Sequence, residues 1–163
     1  MFTISKIDLD EIKAAKDVLS LTWKNTYGKY FSAKAIKKIT SRWHAEKLLL
    51  KQAKDSDVYF AAAKDKKDVI VGIITVRKVD ADTLFMHRIY VNPKFQGMGV
   101  GSQLLDSSLK YFSEARKLKL ECEKKNNKAC AFYLKKGFKI IGEKDDEVEG
   151  VRLKTVVFEK ELR

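Results

Sequence analysis

The sequence has no apolar run approaching the ~20 residues that a membrane-spanning helix requires. Its first residues, Met1-Phe2-Thr3-Ile4-Ser5, lack the basic start and long apolar stretch of a secretory leader. A cytoplasmic protein with no membrane partner is expected. Cysteine is scarce: Cys122 and Cys130 are too few for a disulfide framework or a zinc-ligand set, and His44 and His87 are the only histidines. Two reduced thiols and no metal are expected. Nothing in the 163 residues marks a second domain, so the chain reads as one domain, 1–163. Acidic residues are in deficit, 22 Asp+Glu against 34 Lys+Arg, for a formal net charge of +12. That surplus favours anionic partners, either nucleic acid or a phosphorylated coenzyme. The lysines are dispersed and no nucleic-acid-binding module is recognisable, so a solvated basic surface is expected and nucleic acid is not.

Also missing is the Gly-Lys-Ser/Thr of a P-loop, although Ile89 to Leu105 has the form of a phosphate site: an apolar strand, a glycine-rich turn and an amphipathic helix. At its centre, Gln96-Gly97-Met98-Gly99-Val100-Gly101 sets three glycines at alternate positions where the helix begins, with Ser102 in its first turn. The first N–H groups of a helix have no intrahelical acceptor and lie at the positive end of its dipole. Glycines remove the Cβ atoms that would hold a pyrophosphate away from those amides. Leu105, Leu109 and Phe112 then recur at helical spacing and anchor the turn to a core-facing helix. Two fingerprints remain. Gly97-x-Gly99-x-x-Ser102 approaches the dinucleotide pattern, with Glu121 about where a ribose-binding acid belongs, yet only one βαβ unit is apparent. The other is Gln/Arg-x-x-Gly-x-Gly/Ala, met by Gln96, Gly99 and Gly101.

Along the chain, Phe2 to Ile7 alternates as a strand, and Asp8 with Glu11 forms a capping box before a helix carrying Ile12, Ala15, Leu19 and Trp23. After a break at Gly28, Ser32 caps a second helix with Ile36, Ile39 and Trp43; Ser41 to Ala53 either continues it or forms a third. Val58–Ala63, Val69–Val76 and Thr83–Val91 read as strands whose short connections make them antiparallel neighbours, the middle one central because it is apolar on both faces. The crossover through the glycine loop and its helix makes Leu118–Glu123 parallel to the strand before it. A helix follows, capped by Asn126 or Asn127 and stopped at Gly137. Lys139–Gly142 and Val151–Glu159 close the domain as a hairpin with an acidic tip, Glu143 to Glu149.

Asn126, Ala129, Tyr133, Gly137 and Phe138 also fit Asn-x-x-Ala-x-x-x-Tyr-x-x-x-Gly-Phe at the expected distance after the glycine loop. With these two linked motifs, nearly the whole chain resembles the GNAT superfamily of acetyl-CoA-dependent N-acetyltransferases. The resemblance implies an α/β (α+β) fold: a mixed, mostly antiparallel twisted sheet with a central splayed parallel strand pair and about four flanking helices. It implies that Gln96, Gly97, Met98, Gly99, Val100, Gly101 and Ser102 cradle the coenzyme A pyrophosphate, that backbone groups of Ile89, Tyr90 and Val91 pair with the pantetheine arm, and that Asn126 and Tyr133 also contact the cofactor. It leaves room for a homodimer.

By the same resemblance Tyr133 is the general acid, a phenol able to donate to the departing thiolate. Glu121 stands where protein N-terminal acetyltransferases carry a proton-relaying glutamate, and is equally readable as a paired strand carboxylate. His87 is the runner-up base, its ordinary pKa of ~6.5 suiting proton transfer. The backbone N–H of Tyr90 or Val91 is the expected oxyanion donor. Trp23, Tyr27, Tyr30 and Trp43 line the acceptor pocket or simply fill the core, and His87 also borders it. The segments Thr22–Tyr27, Tyr30–Ser32 and Glu46–Leu49 resemble the PaiA-type branch associated with spermidine and spermine acetylation. Glu121 departs from that branch, and +12 repels polyamines unless Asp80, Asp82, Glu121 or the acidic tip converge. Peptide N-termini are the alternative acceptor; a non-catalytic coenzyme-A-binding regulatory module is the alternative class.

Overall fold

The two periodicities of the sequence resolve, in a computed structural model that describes residues 1–163, into seven strands and five α-helices. In chain order these are β1 (Thr3–Lys6), α1 (Ile12–Tyr27), α2 (Ala33–Trp43), α3 (Glu46–Lys54), β2 (Val58–Lys64), β3 (Ile70–Lys78), β4 (Thr83–Val91), α4 (Val100–Tyr111), β5 (Lys117–Glu123), α5 (Asn127–Lys135), β6 (Lys139–Val148) and β7 (Val151–Glu161). The caps work as their chemistry dictates. The Asp8 N–H donates to Glu11 Oε2 at 2.9 Å in a short 3₁₀ turn before α1, Ser32 Oγ accepts from the Ala35 N–H at 3.1 Å, and Asn126 Oδ1 accepts from the Ala129 N–H at 3.2 Å. Gly137 ends α5 at φ +85°. His44 and Ala45 break the Ser41–Ala53 stretch, so α3 is a separate helix.

The sheet order is β1-β2-β3-β4-β5-β7-β6, antiparallel everywhere except between β4 and β5. β3 is interior and buried from Ile70 through Val76, as expected of a strand apolar on both faces; exposed Val69 lies just outside it. One expectation fails at the C-terminal end. Glu143 to Val148 is not a hairpin tip but the second half of β6, paired residue by residue with Val151 to Val156, and only Glu149 and Gly150 turn. Cross-strand partners on β7 outweigh the poor strand propensity of an acidic run on an exposed edge.

Two apolar layers cover the sheet. On one face α4 and α5 enclose Val71, Leu84, Met86, Leu118, Leu120, Cys122 and Phe158; on the other, α1 and α3 cover Val58, Phe60, Ala62 and Ile73. Gly72 permits the closest approach: a Cβ there would lie 3.1 Å from Val100 Cγ1, 3.2 Å from Leu104 Cδ1 and 3.2 Å from the Tyr90 carbonyl oxygen. Its missing side chain is what seats the start of α4 on β3 and β4.

Candidate active site

The parallel pair is short. Thr83–Met86 pairs with Lys117–Leu120, after which β4 continues alone beside β3 while β5 continues beside β7. A β-bulge causes the divergence on one side: Val76 opposes Met86 and Thr75 opposes Arg88, so His87 is the extra residue, and a bulge bends its strand and increases the local twist. Beyond Met86 the β4 edge that faces β5 has no strand partner. Its backbone groups at Ile89, Tyr90 and Val91 border a V-shaped opening suited to an extended chain with amide groups.

The glycine loop closes one end of that opening. Asn92 Oδ1 accepts from the Lys94 N–H at 3.0 Å, and Gln96 Nε2 donates to the Val91 carbonyl at 3.0 Å, so Gln96 ties the loop to the strand end. Gly97 and Gly99 are left-handed, at φ +78° and +84°, which glycine adopts without steric cost. Gly99 is the N-cap of α4 and supplies no side chain to its free amides. The first helical bond runs from the Gln103 N–H to the Gly99 carbonyl, 3.0 Å, leaving the N–H groups of Val100, Gly101 and Ser102 as open donors. Met98 is exposed, Val100 is buried under the helix, and Gly101 faces Phe132 of α5. These residues fit a pyrophosphate: open amides at a helix start, no Cβ over them, and a basic chain around them.

Three phenols come from three elements around the opening, Tyr27 from α1, Tyr90 from β4 and Tyr133 from α5. Trp23 Nε1 donates to Tyr90 Oη at 3.0 Å, and Asn126 Nδ2 donates to Tyr27 Oη at 3.3 Å, so α1, β4 and α5 meet here. Tyr133 is buried, its ring against Phe132, Phe138 and Phe158 at centroid distances of 5.5, 5.7 and 5.4 Å. Burial pushes its hydroxyl well above the usual phenol range, and the neighbouring Cys122, Tyr90 and Tyr27 oppose its ionisation further. Burial likewise raises Tyr90 to about 12 and lifts Tyr27. All three hydroxyls are protonated donors at neutral pH.

The other residues predicted from sequence are spread around this centre. Tyr30 is exposed on the turn after α1, with Lys125 Nζ 5.8 Å from its ring centroid. Trp43 packs edge-on to Trp23 at 5.8 Å. Glu121 sits on the β5 face opposite Cys122 and is paired with Lys144 Nζ at 2.9 Å, so the paired-carboxylate reading describes it as it stands. His87 is exposed on the bulge, 5.0 Å from Phe85; partial desolvation and then the guanidinium groups of Arg88 and Arg77 lower its imidazole below the ordinary range. Its surroundings are these cationic strand residues rather than the phenol group. Asp80 accepts from the Asp82 and Thr83 N–H groups at 2.9 Å each and Asp82 pairs with Arg116 at 3.6 Å. Both lie at the closed end of the β4–β5 pair and do not join the opening.

Three groups near the opening were not singled out from sequence. Glu123, two residues beyond Glu121 and so on the same β5 face, has a buried Oε2 without a hydrogen-bond partner, and burial raises its pKa; the alternation of β5 carried that signal. Arg88 is buried and bonded only to neutral acceptors, Gln52 Oε1 at 2.6 Å, Thr75 Oγ1 at 3.1 Å and the Trp43 carbonyl at 3.3 Å, and burial lowers it to about 10. His44, beside Trp23 and Tyr90, is lowered to about 3 by burial, then by Arg88 and Lys16. No pattern in the sequence marks those two.

Comparison with known proteins gives the class. The sequence profile of the acetyltransferase (GNAT) family matches residues 17–138, and the chain belongs to that family; it is an acyltransferase whose cosubstrate is acetyl-CoA. No curated protein matches it by sequence. Among solved structures, the PaiA N-acetyltransferase from Thermoplasma acidophilum in complex with coenzyme A superposes with a TM-score of 0.84 at 21% identity, covering 99% of each chain. The ribosomal-protein-S18-alanine N-acetyltransferase from Escherichia coli superposes with a TM-score of 0.75 at 17% identity, covering 99% of this chain and 94% of that one. At these identities the likeness establishes the shared fold. No helix is long and apolar enough to cross a membrane.

Proposed function

We propose that the chain transfers an acetyl group from acetyl-CoA to a primary amine by direct attack within a ternary complex, with a polyamine of the spermidine type as acceptor. The observation that carries the acceptor class is the wall of the opening on the β5–β7–β6 side. Glu121, Glu123 and Asp146 share one sheet face there, with Lys144 bonded to Glu121 at 2.9 Å and to Asp146 at 3.4 Å. A cationic chain that displaces Lys144 gains two carboxylates and offsets the repulsion of a +12 surface. The PaiA likeness supports the same reading.

A lysine-like amine is neutral in only about one molecule in 10³ at pH 7, so the acceptor must lose a proton before attack. In this proposal Glu121, freed from Lys144 by the incoming cation, takes that proton, directly or through water. The N–H of Tyr90 or Val91 donates to the oxygen of the thioester as charge develops there. Tyr133 donates its hydroxyl hydrogen bond to the leaving sulfur. Because its pKa lies above that of a thiol, ~8.5, full proton transfer is uphill, and its contribution is hydrogen bonding followed by late delivery of the proton.

Thiol release from acetyl-CoA tests this against spermidine, spermine, lysine-containing peptides and peptides with free N-termini. Turnover of polyamines, with KM rising in Glu121→Gln and Asp146→Asn, supports the proposal; an unchanged spermidine KM in both variants refutes the acidic wall. The position of Glu121 favours a second acceptor, peptide N-termini, which predicts turnover of that arm alone. Coenzyme A binding with silence across the whole panel supports a regulatory module instead.

A further inference from the structure

We propose that Cys122 and Cys130 form a dithiol–disulfide couple, oxidised by small disulfides that reach Cys130, and that closing it disables the adjoining coenzyme site. These are the only cysteines of the chain, and the fold brings them together from different elements. Cys122 projects from β5 on the face covered by α5, and Cys130 projects from α5 towards it, with the two Sγ atoms 3.9 Å apart. A disulfide needs ~2.05 Å between sulfurs, so closure requires an approach of roughly 1.9 Å, shared between side-chain rotation and movement of α5.

The two thiols differ in the way that sequential thiol–disulfide exchange requires. Cys122 is buried and Cys130 is half-buried, so an outside reagent meets Cys130 first. As the thiols stand, Cys130 Sγ donates to Cys122 Sγ and Cys122 Sγ donates to the Glu123 carbonyl at 3.6 Å; the sulfur contact and the backbone N–H of Cys130 pull the Cys130 pKa down, while that of Cys122 is pushed up. Cys130 therefore attacks and Cys122 resolves. The Cys130 thiolate attacks one sulfur of a small disulfide RSSR, the S–S bond breaks and the first RS⁻ leaves. Cys122 then loses its proton to solvent and attacks Cys130 Sγ, expelling the second RS⁻. The two cysteines lose two electrons and the small disulfide gains them.

The consequence follows from what shares α5. Asn126, which caps the helix and holds Tyr27 Oη at 3.3 Å, precedes Cys130, and Tyr133 follows it one turn later. Cys122 and Tyr133 belong to one buried cluster, with Cys130 packed against it. Drawing α5 towards β5 moves the cap and the phenol together, and neither tolerates displacement on that scale in a preorganised site.

The test treats the reduced protein with glutathione disulfide and reads intact mass, free thiols and coenzyme A affinity, none of which depends on the acceptor amine. The wild type is expected to lose both thiols and the mass of two hydrogen atoms, and its coenzyme A affinity to fall by about tenfold, ~1.4 kcal/mol, with recovery on adding dithiothreitol. Cys122→Ser is expected to stop at the mixed disulfide and gain one glutathione, whereas Cys130→Ser stays unmodified. The double variant Cys122→Ala, Cys130→Ala should bind coenzyme A equally before and after treatment. Two persistent free thiols, a disulfide that leaves affinity unchanged, or equal loss in the double variant overturns the proposal.

Discussion

Replacing Gly99 by alanine separates the conformation of the loop from its crowding. Gly99 is left-handed at φ +84°, and the nearest atom to an added Cβ is Gln103 Nε2 at 3.7 Å, so a methyl group fits and only the backbone resists. An L-residue in that region costs about 1–2 kcal/mol. If the loop keeps its shape the cost appears as stability, and at 2–4 °C per kcal/mol for a chain of this size the Tm falls by about 2–8 °C. If the loop relaxes, the α4 amides leave their aim, and coenzyme A affinity falls by about 5–30-fold for the same free energy. Gly101→Ala is the control: its backbone is helical and its Cβ would meet Phe132 at an ordinary 3.5 Å, so the Tm should stay level or rise, in line with a helix-propensity gain of about 0.8–1.0 kcal/mol. Thermal melts with coenzyme A titration calorimetry read both quantities. A Gly99→Ala protein with unaltered Tm and affinity would show that the left-handed cradle is not required, and the account of the loop would fail.

Tyr133→Phe keeps the packed ring and removes only the hydroxyl, so kcat is expected to fall by about 10²–10⁴-fold with Tm nearly constant; a fall in both would mark a packing role. His44 supplies a pH dependence. Its folded pKa of about 3 lies below the unfolded value of ~6.5, so the unfolded chain binds the extra proton between those values and stability is lost as pH falls through that window, by about 2 kcal/mol at pH 5. Urea melts at pH 7 and pH 5 should show it, and His44→Gln should flatten the difference. Gly72→Ala should destabilise by about 1–3 kcal/mol through overpacking against Val100 and the Tyr90 carbonyl; a melt unchanged from wild type would mean that α4 shifts freely.

What the sequence determined by itself is the local chemistry. The apolar run Ile70–Val76, the caps at Asp8, Ser32 and Asn126, and the glycines at 97, 99 and 137 each act over a few residues of chain, where propensity and hydrogen-bonding rules suffice. The crossover through α4 likewise dictated a parallel β4–β5 pair. Tertiary structure decided what depends on partners distant in sequence. Whether Glu121 is free or paired rests on Lys144 arriving from β6; the acidic run became strand because β7 lay beside it; Arg88 and His44 acquired their shifted pKa values from burial under helices; and Cys122 met Cys130 only when α5 folded back on β5. Burial and charge proximity are properties of the packed whole, summed over elements that a local pattern cannot place against one another.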